Sequence, residues 1–245
     1  MGNGVSNARS RYSQRAALLL VAGVLVAVPF FTLLFQVVAE GPLTRLDGRL
    51  ADRLNHALHA NRAALAVLKA VTLFGSTPVL ALVTVAAVWF VAARRLHRLA
   101  TFLVVTAVGG ALLNTLVKLA VARPRPVVDH VVATAFGKSF PSGHAMSSTV
   151  VYGALLVALL PMVRRRRRPL VVGIAVAVVL LVGTSRMLLG VHFLSDVVGG
   201  YVLGLAWLAG SVALFETWRS EEGRRRSSPV SEGVEPEAGP ALRGD

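Results

Sequence analysis

The sequence predicts an all-α fold, a polytopic membrane helical bundle with six transmembrane helices. Three observations predict it: 55% of the residues are hydrophobic, only 16% are charged, and the apolar residues come in long blocks instead of at amphipathic spacing. Several blocks reach the ~20 residues that cross a bilayer. They run Ala16–Ala39, Thr77–Ala93, Ala100–Val121, Ala145–Val163, Leu170–Leu189 and Ser195–Phe215. The first follows Arg9, Arg11 and Arg15 and is longer than the about 7–15 apolar residues of a secretory leader, so it reads as a retained spanning helix. Between the first two blocks lies a mixed polar stretch, Glu40–Arg62, and then Ala63–Phe74. That piece is too short to cross alone and reads as an interfacial or re-entrant helix leading into the second span, punctuated by Gly75 and Pro78.

Charge placement orients the bundle. The net charge of +14 comes from 26 basic against 12 acidic residues, and most arginines sit in short clusters beside apolar segments. That placement argues for membrane topology and against a nucleic-acid partner. Arg9/Arg11/Arg15, Arg94/Arg95/Arg98, Arg164–Arg168 and Arg219/Arg224/Arg225/Arg226 all fall on one side of a six-span chain. The reading is therefore a multi-pass cell-membrane protein with both termini cytoplasmic. Residues 1–15 are a cytoplasmic segment, 16–218 the membrane domain, and 219–245 a Ser-, Glu-, Gly-, Pro- and Arg-rich tail expected to be disordered. The opposite, outer side receives Glu40–Arg62, the loop from Ala122 to His144, and the turn Gly190–Leu194. The absence of cysteine removes disulfides, thiolate metal sites and cysteine nucleophiles.

Charged and histidine side chains at membrane depth are costly, so those gathered at outer segment ends are candidates for function. Three clusters qualify: Lys118 to Pro126, Phe140 to Ser148, and Ser185 to Asp196. Lys118, Arg125 and Arg186 supply fixed positive charge, and the planar fork of arginine suits phosphate oxygens. His192 and Asp196 are four residues apart, which puts both on one helix face and lets the carboxylate orient the ring. With no Ser or Cys nucleophile placed beside it, the imidazole itself can attack. Ser142-Gly143-His144 opens an apolar helix, where unpaired backbone N–H groups favour anionic oxygen. There Gly143 permits close backbone approach, Ser142 adds a hydroxyl or caps the helix, and His144 can donate a proton to a leaving group. Singly these residues have plainer uses: a lysine snorkels, a serine caps, an arginine sets topology.

Together the clusters resemble the signature of the type 2 phosphatidic acid phosphatase family, which includes vanadium haloperoxidases. K-x6-R-P is Lys118…Arg125-Pro126, P-S-G-H is Pro141-Ser142-Gly143-His144, and S-R-x5-H-x3-D is Ser185-Arg186…His192…Asp196. No motif position departs, and the resemblance covers roughly residues 63–215. It implies a metal-independent reaction without cofactor through a phosphohistidine. In that scheme His192 attacks phosphorus, Asp196 orients it and His144 protonates the leaving group, while Lys118, Arg125, Ser142, Gly143 and Arg186 hold the phosphoryl oxygens. Arg123-Pro124 is a second Arg-Pro pair, and the family spacing selects Arg125. The implied partner is a lipid phosphate in the bilayer: phosphatidate, phosphatidylglycerophosphate or undecaprenyl diphosphate. A vanadate-dependent haloperoxidase and a non-catalytic phospholipid-binding or transport protein are the competing readings. Asp47 and Asp129 share the outer side but show no partner in the sequence, and Trp89, Trp207 and Trp218 read as lipid-facing or interfacial.

Overall fold

The computed structural model describes residues 27–244. Its elements are helices: α1 (Ala27–Val38), α2 (Pro42–Leu58), α3 (Arg62–Leu73), α4 (Thr77–Ala93), α5 (His97–Val121), α6 (Gly143–Leu159), α7 (Arg168–Leu188) and α8 (Leu194–Glu221). Two short helices, α9 (Pro229–Glu232) and α10 (Gly239–Arg243), follow. Among the described residues, five helical stretches are long and apolar enough to cross a membrane, and the chain is a multi-pass membrane protein. Part of the expected first span lies outside the described residues, as do Arg9, Arg11 and Arg15. Its described part, α1, turns through 78° into α2. Proline at the start of α2 suits that turn, because its missing N–H costs nothing in the first helical turn.

One expectation about the second span is corrected. Ala63–Phe74 is not a separate re-entrant helix: α3 and α4 run on as one stretch of 32 residues, Arg62–Ala93, broken only at residues 74–76. At 1.5 Å per residue this is about 48 Å, longer than a hydrocarbon core of about 30 Å, so α3 carries the span beyond it. Asn61 caps α3 by accepting the Ala64 N–H at 3.0 Å, which gives the stretch a defined start.

The bundle is built around α6. Its span is 61% buried, against 22–28% for the other four, and it packs on α8, α5, α7 and α4. Outer helices leave Leu82, Trp89, Leu112, Leu116, Leu170 and Leu205 exposed, as lipid-facing surfaces require. Trp207 differs from expectation. It is half-buried, lies against Gly109 and Gly110, and donates its indole N–H to the Thr106 carbonyl at 2.8 Å, joining α5 to α8.

Residues 222–244 also differ from expectation, because the tail folds back over the arginine-rich end of the bundle. Val234 and Leu242 are fully buried, packed with Val91, Leu99, Phe102 and Phe215. Buried Arg219 meets Glu237 at 2.8 Å, Arg94 donates to the Ala241 carbonyl at 2.6 Å, and Arg98 binds Glu222. Low average hydrophobicity hid this, but Val234, Ala238 and Leu242 recur every four residues, and the tail's glutamates answer arginines of the bundle.

Close approach of α8 to α6 sets the outer end of the bundle. A Cβ on Gly200 would lie 2.8 Å from the Ser142 carbonyl oxygen and 3.0 Å from the Ala145 Cβ. Gly200→Ala therefore pushes α8 off the start of α6, at a cost of about 1–3 kcal/mol. A lower melting temperature in detergent, with phosphate turnover reduced in parallel, is the expected result; an unchanged melting curve would show that the helices separate freely.

Candidate active site

Three segment ends converge at the end of the bundle opposite the arginine clusters. Helix α5 stops at Ala122, which adopts a left-handed conformation (φ 52°), and the following Arg-Pro-Arg-Pro run is non-helical. Proline bars further helix and biases each preceding arginine to extended backbone. The two arginines of the run part company: Arg125 lines the cavity, and Arg123 turns into a buried pair with Asp196 at 2.6 Å.

The cavity, about 860 Å³, is lined at its polar end by Lys118, Arg125, Gly143, His144, Arg186 and His192. Six of the eight residues expected at the site thus share one wall. Asp196 stands behind them, fully buried, next to His192. Ser142 is also fully buried and does not line the cavity. Its hydroxyl accepts the Ala145 N–H at 3.5 Å as the N-cap of α6, and its own N–H donates to the Asp196 carbonyl at 2.9 Å. Capping leaves Gly143 and His144 at the cavity with the positive end of the α6 dipole behind them.

Hydrogen bonds decide the tautomer of His192. Arg125 can only donate, and its Nη1 lies 3.1 Å from His192 Nε2, so Nε2 carries the lone pair. Nδ1 then carries the proton, 3.4 Å from Asp196 Oδ2 and 3.3 Å from Ser139 Oγ. The Ser139 hydroxyl donates onward to Asp196 Oδ2, and the Phe193 N–H donates to the same oxygen at 2.9 Å. Burial pushes the His192 imidazole down from 6.5 to about 4; its hydrogen bond to Asp196 and that carboxylate's charge pull it back up, and Arg125 and Lys118 press it down. The ring is neutral at pH 7, with the lone pair of Nε2 turned to the cations.

Those cations are held by carbonyls of the loop between α5 and α6 and of the α7–α8 turn. Arg125 donates to Gly137 O at 3.0 Å, Phe136 O at 2.8 Å and Val191 O at 2.8 Å, while Lys118 donates to Lys138 O at 2.9 Å. Desolvation by burial lowers the pKa of Arg125 from its ordinary value. Arg186 donates to the Thr72 hydroxyl of α3 at 3.0 Å, and its Nε is buried without a hydrogen-bond partner. The loop itself is pinned to α2 by Asn55, which donates to the His130 carbonyl at 2.7 Å and accepts the His130 N–H at 3.1 Å. A pocket with three cations, one unpaired guanidinium nitrogen and a helix N-terminus is suited to a multiply charged oxyanion.

Sequence reasoning missed Ser139, Thr72, Asn114 and the roles of Arg123 and Asp47. Asp47 is the partner of Arg123 at 2.9 Å, and Asn114, one turn before Lys118, lines the cavity. The doubled Arg-Pro pair was the available signal, because a second guanidinium that is buried away from the cavity needs an anion. Asp129 takes no part, pairing instead with His56 at 3.3 Å on the surface. Among the described residues no group of three His, Asp or Glu side chains is arranged to hold a metal ion.

Similar proteins agree with this architecture. Over 97 residues the chain is 41% identical to phosphatidylglycerophosphatase B of Bacillus subtilis (strain 168), covering 38% of this chain and 47% of that one. Over 125 residues it is 31% identical to undecaprenyl-diphosphatase BcrC of the same organism, covering 49% and 59%. The chain thus spans about half the length of the curated relatives it matches. Its fold is shared with the crystal structure of a transmembrane PAP2 type phosphatidylglycerolphosphate phosphatase from Bacillus subtilis, at a TM-score of 0.66 and 24% identity, covering 82% of this chain and 98% of that chain. The model of the PAP2 superfamily matches residues 98–220, half of the chain and all three convergent segments, and the chain belongs to that superfamily.

Proposed function

We propose that this chain is an integral-membrane lipid phosphatase that moves a phosphoryl group from a lipid phosphate to His192 and then to water. The observation that carries the reading is the orientation of His192: Nε2 faces the cationic wall of the cavity, and Nδ1–H is backed by Asp196 and Ser139. In the first step Nε2 bonds to phosphorus and the P–O bond to the leaving group breaks. His144, on the same wall, gives a proton to the departing oxygen. In the second step water attacks the phosphohistidine, returns a proton to His144 and frees the ring. Asp196 stabilises the positive charge the ring acquires while the N–P bond exists. Lys118, Arg125, Arg186 and the Gly143 backbone neutralise the phosphoryl oxygens, the work a metal ion performs in other phosphoryl-transfer sites, and the scheme needs no metal.

The lipid character follows from the rest of the cavity. From the cationic end it continues between α4 and α5, along Leu80, Ala81, Thr84, Val85, Val108 and Ala111. A headgroup can sit at the cations while its chain lies in this trench, in contact with the bilayer. Phosphatidylglycerophosphate, phosphatidate and undecaprenyl diphosphate all have this shape, and the names of the two curated relatives point to the first and last. The arginine clusters at the opposite end support a cytoplasmic location for that end and an outer-face location for the site.

Two experiments test the reading. Detergent-purified protein in EDTA should release phosphate from one of these lipids, and His192→Ala should lose at least about 10³-fold in kcat. Loss of activity in EDTA, or equal release by the variant, contradicts the mechanism. Ala111→Phe narrows the trench without touching the cations. It should raise KM for a long-chain lipid phosphate and leave turnover of a short-chain analogue unchanged, whereas equal effects on both would place the chain elsewhere.

A further inference from the structure

Behind His192 lies a row of three buried charges that the proposed reaction does not consume. Asp47 of α2 is 1% exposed, Arg123 8% and Asp196 0%. Arg123 spans the other two, with Nη1 at 2.6 Å from Asp196 Oδ1 and Nη2 at 2.9 Å from Asp47 Oδ2. Ser195 completes the row. Its hydroxyl accepts from Arg123 Nη1 at 2.7 Å and donates to Asp47, and its backbone N–H donates to Asp47 Oδ1 at 3.1 Å. The Arg123 guanidinium also lies 4.2 Å from the Phe193 ring centroid. Neither Asp47 nor Arg123 lines the cavity, so neither reaches a substrate there.

Fastening α2 to the start of α8 does not require ions, because apolar side chains of similar volume do so without the desolvation cost of three buried charges. What the charges add is control of one carboxylate. Arg123 takes Asp196 Oδ1, which leaves Oδ2 to receive His192 Nδ1–H, the Ser139 hydroxyl and the Phe193 N–H. A guanidinium bound to Asp196 alone would withdraw much of the negative charge that His192 needs behind it. Asp47, on the far side of the same fork, competes for that guanidinium.

We infer that Asp47 and Arg123 are positioning residues for phosphoryl transfer: Arg123 fixes the rotation of the Asp196 carboxylate, and Asp47 limits how far Arg123 neutralises it, so that the pair sets the reactivity of His192. This rests on His192 being the nucleophile. The groups facing His192 are Asp196 of α8, Arg125 of the loop between α5 and α6, Lys118 of α5 and His144 of α6, and of these Arg123 bonds to Asp196 alone.

Asp47→Asn and Arg123→Gln test the inference because their effects on His192 have opposite signs. Removing the Asp47 charge leaves Arg123 free to neutralise Asp196, which disfavours the imidazolium and moves the titration of His192 below its starting value of about 4. Removing Arg123 gives Asp196 its full charge and moves the titration up. Both variants should lose about tenfold or more in kcat with KM within about twofold of wild type, the pattern of a group that acts through another. Arg123→Lys, which keeps the charge and loses the fork, should fall between.

The assays are steady-state kinetics in detergent on a lipid phosphate and NMR titration of 13C-labelled histidine, with His192→Gln assigning the signal. Melting curves exclude unfolding, and Asp47→Asn with Arg123→Lys decide the matter if Arg123→Gln does not fold. Displacements of one sign, no displacement, or a change in KM alone overturns the inference. Should His192→Gln turn over lipid like wild type, the nucleophile assignment fails first; a dead His192→Gln beside a normal Asp47→Asn refutes only the positioning role.

Discussion

The ion pair between Arg123 and Asp196 joins the last residues of one spanning segment to the first turn of another, in a place where neither charge reaches water. Its partners make the joint specific. Asp196 accepts from Arg123 on one oxygen and from Phe193, Ser139 and His192 on the other, while Arg123 reaches back to Asp47 on α2. Four parts of the chain, α2, the outer loop, the α7–α8 turn and α8, are thereby referred to one carboxylate. An unpaired ion at this depth would cost several kcal/mol, so the geometry is enforced by the cost of any arrangement that leaves a charge alone. His192 is held by that same carboxylate, and the position of its Nε2 follows from the joint.

The second constraint is the concentration of positive charge. Lys118, Arg125 and Arg186 face one cavity at the end of an apolar bundle, and the bundle offers them backbone carbonyls and the Thr72 hydroxyl in place of carboxylates. Dipoles tolerate the charges without neutralising them, and the pocket keeps a strong preference for an anion. The outer loop is therefore part of the binding wall, because three successive carbonyls, of Phe136, Gly137 and Lys138, hold Arg125 and Lys118. Asn55 of α2 fixes the loop by both backbone groups of His130.

Much of this was legible in the sequence. Block lengths located the spans, and among the described residues the arginine clusters gather at the end opposite the motif residues. The spacing of Lys118, Arg125, Gly143, His144, Arg186 and His192 identified residues that line one cavity. What stayed hidden depends on contacts between distant parts of the chain. Asp47 lies 76 positions from Arg123, and nothing local distinguishes it from the neighbouring Asp52. Ser139 and Thr72 are common residues whose importance comes only from facing Asp196 and Arg186. The tail was misread because average composition was weighed there instead of spacing, and α3 because Gly75 and Pro78 were taken to set it apart from the second span.

The central claim is that a covalent bond forms between His192 and the phosphoryl group. It is tested most directly by mixing enzyme with a lipid phosphate carrying 32P in the transferred group, quenching in alkali within milliseconds, and mapping the label by peptide. Label that is stable to base, labile to acid and confined to the peptide containing His192 is the result the account predicts. Turnover at full rate with no labelled enzyme at any time, or label on another residue, would contradict it.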